Sequence, residues 1–268
     1  MKGGGGAIKK TLVQQKLLAH LWPAVWLLAT GCCALMLALS GARNFQTSAA
    51  SVSLPEDIAP SSALSGLCIA LDAGHGGYDG GAVGRKSRVT EKELNLHVAL
   101  RLRELLRAQG AHVILTRDGD YSLCDDHPPI RKKLQDMQRR ALLVLEGGAD
   151  LLLSIHMNEY SNGRQAGPQV FFREGCPAGK DLAETLQTAM NAGLQPARNR
   201  QANAGDYYIL TLGIPSALVE CGFLSNTREE ALLQEAAYRE RVARSIRDGV
   251  LDWAELEGRP EPLPKRQR

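Results

Sequence analysis

Leu67-Cys68-Ile69-Ala70-Leu71-Asp72-Ala73-Gly74-His75-Gly76-Gly77 joins a short apolar run to a glycine-rich turn that carries further glycines at 80, 81 and 84. The run reads as a buried strand that breaks at a histidine. In an α/β domain the loop at the carboxyl end of a strand is where ligands bind, and glycine lets backbone crowd close to them. His75 is therefore a candidate ligand. The plainer alternative is a histidine hydrogen-bonded within a tight turn, and the rest of the chain has to decide between the two.

Downstream, Thr90-Glu91-Lys92-Glu93 has capping-box spacing, and Leu94, Val98, Leu102 and Leu105 recur at helical spacing until Gly110. Glu91 falls on the first turn of that helix, where a lone acid would do no more than complement the helix dipole. His112 to Thr116 alternates like a strand; Leu134, Met137, Ala141, Leu142 and Leu145 mark a second helix ending at Gly147-Gly148. Leu151-Leu152-Leu153-Ser154-Ile155-His156 is almost wholly apolar, as a central strand would be. This alternation predicts a single α/β domain with a mostly parallel central sheet flanked by helices on both faces. Parallel neighbours would bring His75 and His156 to the same sheet edge, with Glu91 between them in sequence. That grouping looks like a metal site.

Val170 to Phe172 reads as a short strand, and Leu182, Leu186 and Met190 mark a helix ending near Gly193. Ile214-Pro215-Ser216-Ala217-Leu218-Val219-Glu220-Cys221-Gly222 then repeats the opening design, with Glu220 in the histidine's place. A last helix is expected from Thr227 to about Glu255, opened by a second capping box of Thr227 and Glu230.

The chain has 268 residues, 44% of them hydrophobic and 23% charged, enough for one domain of ordinary size plus an appendage. A net charge of +3 on scattered basic residues is too mild to argue for nucleic acid. The six cysteines, at 32, 33, 68, 124, 176 and 221, form no C-x-x-C pair and suggest neither a zinc finger nor a disulfide framework. Residues 1–16 hold four lysines and no acid, which fits a cytoplasmic basic segment. Residues 17–42 lack formal charge and are long enough to cross a bilayer, so they read as a transmembrane anchor or uncleaved signal. Residues 43–65 read as a linker, 66–256 as the folded domain and 257–268 as a basic tail. The domain is expected on the extracytoplasmic side, membrane-anchored, or secreted if the N-terminal segment is cleaved.

A His-Glu-His ligand set leaves one position of a tetrahedral zinc open, the pattern of a hydrolytic site. A second carboxylate beside that position would move protons, and Glu220 fits the role. Asp72-Ala73-Gly74-His75-Gly76-Gly77, the Glu91 helix start, Ser154-Ile155-His156-Met157-Asn158 and Leu218-Val219-Glu220-Cys221-Gly222-Phe223-Leu224-Ser225-Asn226 together resemble the zinc-dependent N-acetylmuramoyl-L-alanine amidases of the amidase_3 family. The anchor, short linker and lone domain are most similar to its CwlD-like germination and sporulation subgroup. Ala73 stands where that pattern commonly has proline, and Cys221 where it has a small or apolar residue. The short step from Phe172 to the helix near Asp181 leaves no room for the inserted blocking helix that controls some members.

The resemblance implies that His75, Glu91 and His156 bind Zn2+ and that Glu220 is the catalytic acid/base; Asn158, two residues beyond His156, is a candidate substrate contact, its plainer alternative being a cap or turn residue at a strand end. It implies hydrolysis of the amide joining N-acetylmuramic acid to the L-alanine of the stem peptide, in spore cortex maturation toward muramic lactam. Expected partners are the glycan strand with its stem peptide and the membrane; nucleic acid is not one, and an accessory protein is admitted without being required. Gly76 and Gly77 are expected to keep the approach to zinc open for the glycan. The rival readings are a zinc peptidase acting on stem peptides and a non-catalytic wall-binding module.

Overall fold

The structure, a computed structural model, describes residues 63–127 and 131–258. The expected basic segment and transmembrane stretch, with most of the linker and the tail, lie outside the described residues. No helix among the described residues is long and apolar enough to cross a membrane.

The elements follow in the order β1 (Cys68–Ala73), α1 (Glu91–Arg107), β2 (His112–Leu115), α2 (Lys132–Glu146), β3 (Leu151–Asn158), β4 (Gln169–Phe172), α3 (Pro177–Leu194), β5 (Asn203–Ala204), a 3-10 turn (Tyr208–Thr211), β6 (Ser216–Phe223), α4 (Thr227–Gln234) and α5 (Ala236–Leu256). They build one sheet of order β2-β1-β3-β6-β4-β5. β2, β1, β3 and β6 are parallel, as the alternation of apolar strands and helices predicts. β4 instead runs antiparallel to β6 and pairs with β5 in parallel, so the sheet is mixed. Residues 159–168, which join β3 to β4, contain no helix. A link that short reverses the chain, because a parallel return needs a longer crossover.

β3 lies at the centre, and Leu151 to Ile155 are fully buried. Successive side chains point to opposite faces of a strand. Ile69, Leu71 and Ala73 of β1 pack into the larger layer with Leu94, Val98 and Leu102 of α1, Leu186 of α3 and Trp253 of α5. Ala70, Leu152 and Leu218 face the smaller layer, built from Val144 of α2 with Ile209, Leu210 and Ile214. Each fully buried leucine contributes about 2 kcal/mol relative to leaving it in water. Leu64, within the stretch that reads as linker, is fully buried and its amide donates to Gln109 O at 2.9 Å.

The single C-terminal helix expected from Thr227 to Glu255 is two helices, broken at Glu235, whose backbone is extended (φ −76°, ψ 124°). The second capping box does not form either. Asn226 is the cap, its side chain accepting from the amides of Arg228 and Glu229. The Glu230 carboxylate instead accepts from the amides of Lys86 (2.9 Å) and Ser87 (2.7 Å). That tie fixes α4 on the loop before α1, while α5 turns to pack on α1 and α3; tertiary contacts override a locally continuous helical pattern.

One buried ion pair stands beneath the carboxyl end of β1. Asp72 accepts from Arg140 Nη1 (2.8 Å), Thr116 Oγ1 (2.7 Å) and Ser154 Oγ (2.6 Å). Burial pushes its pKa up, but Arg140 and the two hydroxyls outweigh burial and hold it at about 2. A carboxyl depressed on folding adds stability above its unfolded value, and that stability is lost as pH falls through the folded one. We expect about 2 kcal/mol of stability to disappear between roughly pH 4 and pH 2. Urea unfolding across that range checks it: Asp72→Asn should show a shallower acid loss than the parent, and equal slopes would refute the assignment.

Candidate metal centre

The register of the parallel strands sets the site. Ala73 of β1 pairs with Ile155 of β3, and His156 pairs with Glu220 of β6. His75, two residues past β1, therefore meets His156 and Glu220 at one sheet edge. The two imidazoles lie with ring centroids 5.0 Å apart in an edge-to-face arrangement. A register shift between His156 and Asn158 bends β3 just beyond the histidine.

Glu91 enters from the first residue of α1, capped by Thr90, whose amide donates to the Glu93 carboxylate at 3.2 Å. Glu91 is 4% exposed. Oε1 lies 2.9 Å from His156 Nδ1 and 3.2 Å from His75 Nε2, and it accepts from the amide of Met157 at 3.1 Å. Oε2 accepts from the amide of Ala82 at 2.8 Å. Burial works to raise the Glu91 pKa, but the bonds from His156 and His75 overcome it and keep the group well below the usual carboxylate range.

His75, Glu91 and His156 offer one ligand atom each within 4.8 Å of one another. Two imidazole nitrogens and a carboxylate oxygen form the donor set of a three-ligand zinc site. His75 Nδ1 lies 3.0 Å from Asp79 Oδ2, a close approach whose alignment falls short of a hydrogen bond. Glu220 behaves differently from Glu91. Its Oε2 is buried without a hydrogen-bond partner among the described residues. Burial, reinforced by the nearby Glu91 charge and opposed by the histidines, pushes its pKa up to about 7. A carboxyl so balanced both accepts and donates a proton at neutral pH.

These residues line a cavity of about 580 Å3 together with Asn158, Lys133 and Tyr208. The structure thus brings together His75, Glu91, His156, Glu220 and Asn158, all of which the sequence nominates. The glycines are assigned differently. A β-carbon at Gly76 or Gly77 would run into Tyr121 O or the Ser122 amide, so these two close the loop onto its neighbour and do not hold open an approach. The room is made by Gly74, where a β-carbon would overlap the His156 ring, and by Gly81, where it would meet Glu91 and His75. Gly81 also sits at φ +68°, a conformation side chains disfavour. Asp79 and Lys133 escape notice in the sequence, because an acid inside a glycine loop and a lysine opening a helix are both ordinary surface features. The step from β4 to α3 is residues 173–176, with no inserted helix.

Residues 69–252 match the Amidase_3 family model, described as N-acetylmuramoyl-L-alanine amidase. The chain is 38% identical over 200 residues to the germination-specific N-acetylmuramoyl-L-alanine amidase of Bacillus subtilis, covering 74% of this chain and 84% of that protein. It is 29% identical over 231 residues to the amidase AmiA of Escherichia coli, covering 69% of this chain and 75% of that one. Among solved structures, the CwlD amidase from Clostridioides difficile, in complex with the GerS lipoprotein, superposes with a TM-score of 0.68 at 34% identity, covering 71% of this chain and 99% of that one.

The glycine assignment is open to test. Gly74→Ala and Gly81→Ala should each weaken divalent-metal binding by about tenfold or more, as displaced ligand supports do. Gly148→Ala, with nothing near its β-carbon, is the comparison that carries positive-φ strain alone. Metal titration against a chromophoric chelator reads the difference.

Proposed function

The chain belongs to the N-acetylmuramoyl-L-alanine amidase family and is a peptidoglycan amidase, and on that premise we propose that His75, Glu91 and His156 hold Zn2+ while Glu220 is the catalytic acid/base. The observation that carries the reading is the convergence of His75, Glu91 and His156, one ligand atom each within 4.8 Å of one another, with Glu220 directly across the strand pairing from His156. Glu91 accepts from the amides of Met157 and Ala82 and lies well below the usual carboxylate range, whereas burial pushes Glu220 up to about 7.

Zinc in this set supplies Lewis acidity, polarising the amide carbonyl and favouring the nucleophilic form of water near neutral pH. Glu220, as carboxylate, accepts the proton of the attacking water. As carboxylic acid it returns that proton to the nitrogen of L-alanine as the bond from nitrogen to the lactyl carbonyl breaks. Glu91 stays ionised throughout and does not compete for the proton. Asn158, at the bulge end of β3, contacts the substrate. The products are muramic acid with a free lactyl carboxylate and an intact peptide with a free L-alanine amine.

The proposal extends to the setting. Similarity to a germination-specific amidase supports action on spore cortex peptidoglycan, where peptide-free muramic acid is the precursor of muramic lactam. The charge-free stretch 17–42 behind a lysine-rich start supports anchoring with the domain on the extracytoplasmic side. The solved complex of a similar amidase with a lipoprotein supports an accessory protein for this chain as well.

Glu220→Gln should lower turnover of peptidoglycan by about 100-fold to 10,000-fold while leaving zinc binding intact; parental activity would refute the role. Mass analysis of parental digests should give intact stem peptides, and shortened ones would favour a stem-peptide peptidase. Chelation should abolish activity yet leave the circular dichroism of the fold in place, since apolar strands build the core.

A further inference from the structure

Arg117 and Arg140 are each 1% exposed, and the proposed chemistry uses neither. Both guanidinium groups converge on the backbone that carries His75. Arg117 Nε and Arg140 Nη1 each donate to Ala73 O at 2.8 Å. Arg117 Nη2 donates to Gly74 O at 2.9 Å, beside Asn95 Nδ2 at 3.1 Å. Arg140 Nη2 donates to His75 O at 2.6 Å. Three successive carbonyls are thus taken where the strand ends and the loop begins.

The loop needs that hold. His75 sits at φ 61°, the left-handed region that side chains other than glycine disfavour, so its own backbone would relax away from this conformation. The clamps are themselves aimed. Arg140 is fixed by Asp72 Oδ1 at 2.8 Å and Asp136 Oδ2 at 2.7 Å, and Arg117 by Lys92 O at 2.8 Å and Gly119 O at 3.0 Å. A planar fork of donors can grip several acceptors at once, which a lysine ammonium on a flexible stem cannot. Buried ion pairs are weak devices for stability alone, since apolar side chains of similar volume often serve as well. Here the buried charges are spent on the carbonyls around a ligand.

We propose that Arg140 and Arg117 are positioning residues for His75: by capturing the carbonyls of residues 73 to 75 they lock the loop in the conformation that presents its imidazole to Glu91 and His156. This rests on the metal-centre reading, and the two fail separately.

The test uses the full chain, with three readouts besides activity: the zinc dissociation constant from chelator competition, the visible spectrum of the Co2+ form, and the melting temperature. Arg140→Lys keeps the charge beside Asp72 but loses the fork. It should melt cooperatively, bind zinc about 10-fold to 100-fold more weakly and shift the Co2+ bands. Arg139→Lys, one residue away and paired with exposed Asp125, should match the parent. A parent that takes up no zinc would sink the metal-centre reading. A parent that binds zinc, with Arg140→Lys and Arg117→Lys both folded and within twofold of it, would overturn the positioning role. If Arg140→Lys does not fold, Arg117→Lys decides. If neither folds, the arginines are framework and the inference is overturned.

Discussion

A buried carboxylate cannot stay charged unless donors surround it, and the arrangement at this sheet edge follows from satisfying that demand for Glu91. Its donors come from separate parts of the chain, the amide of Ala82 in the glycine loop and the amide of Met157 on β3, and ring nitrogens of His75 and His156 lie against the same carboxylate. Asn95, one turn along α1, adds a longer bond at 3.3 Å. Each donor is delivered by a different piece of the fold. The parallel register of β1 and β3 must be right, α1 must start where Thr90 caps it, and the loop between must be compact. A slip of one residue in the register would turn the whole run of β3 side chains to the opposite face.

Glu220 shows the complementary condition. It lies directly across the β3–β6 pairing from His156, yet its Oε2 finds no donor among the described residues. Two glutamates beside the same histidine are thus shifted in opposite directions because one is surrounded by donors and the other is merely buried. The amides that reach Glu91 come from the glycine loop and from β3 beside its register shift, and none among the described residues reaches Glu220 Oε2.

Much of this was legible in the chain. The apolar runs before His75, His156 and Glu220 identify three strands whose ends converge, and the Thr90–Glu93 cap places Glu91 at the helix start. What escaped is what depends on partners distant in sequence. The split at Glu235 follows from Glu230 bonding a loop more than 140 residues earlier, which no local pattern announces. The reversal of β4 is set by a link without a helix. Arg117 and Arg140 look like ordinary surface cations in sequence, although an aspartate inside the apolar run of β1 was a sign that a buried cation had to exist. The glycines were recognised, but which of them face the ligands depends on loop geometry that composition does not contain.

The backbone angle at His75 separates what the fold favours from what the chemistry requires. A left-handed residue with a β-carbon costs about 1 to 2 kcal/mol, and glycine or asparagine would relieve much of it. Under selection for folding alone, position 75 would therefore drift toward those residues and the domain would gain in robustness as it lost its imidazole. On the proposed role of His75, a related chain with either residue there would keep the fold and lose one of its three metal ligands.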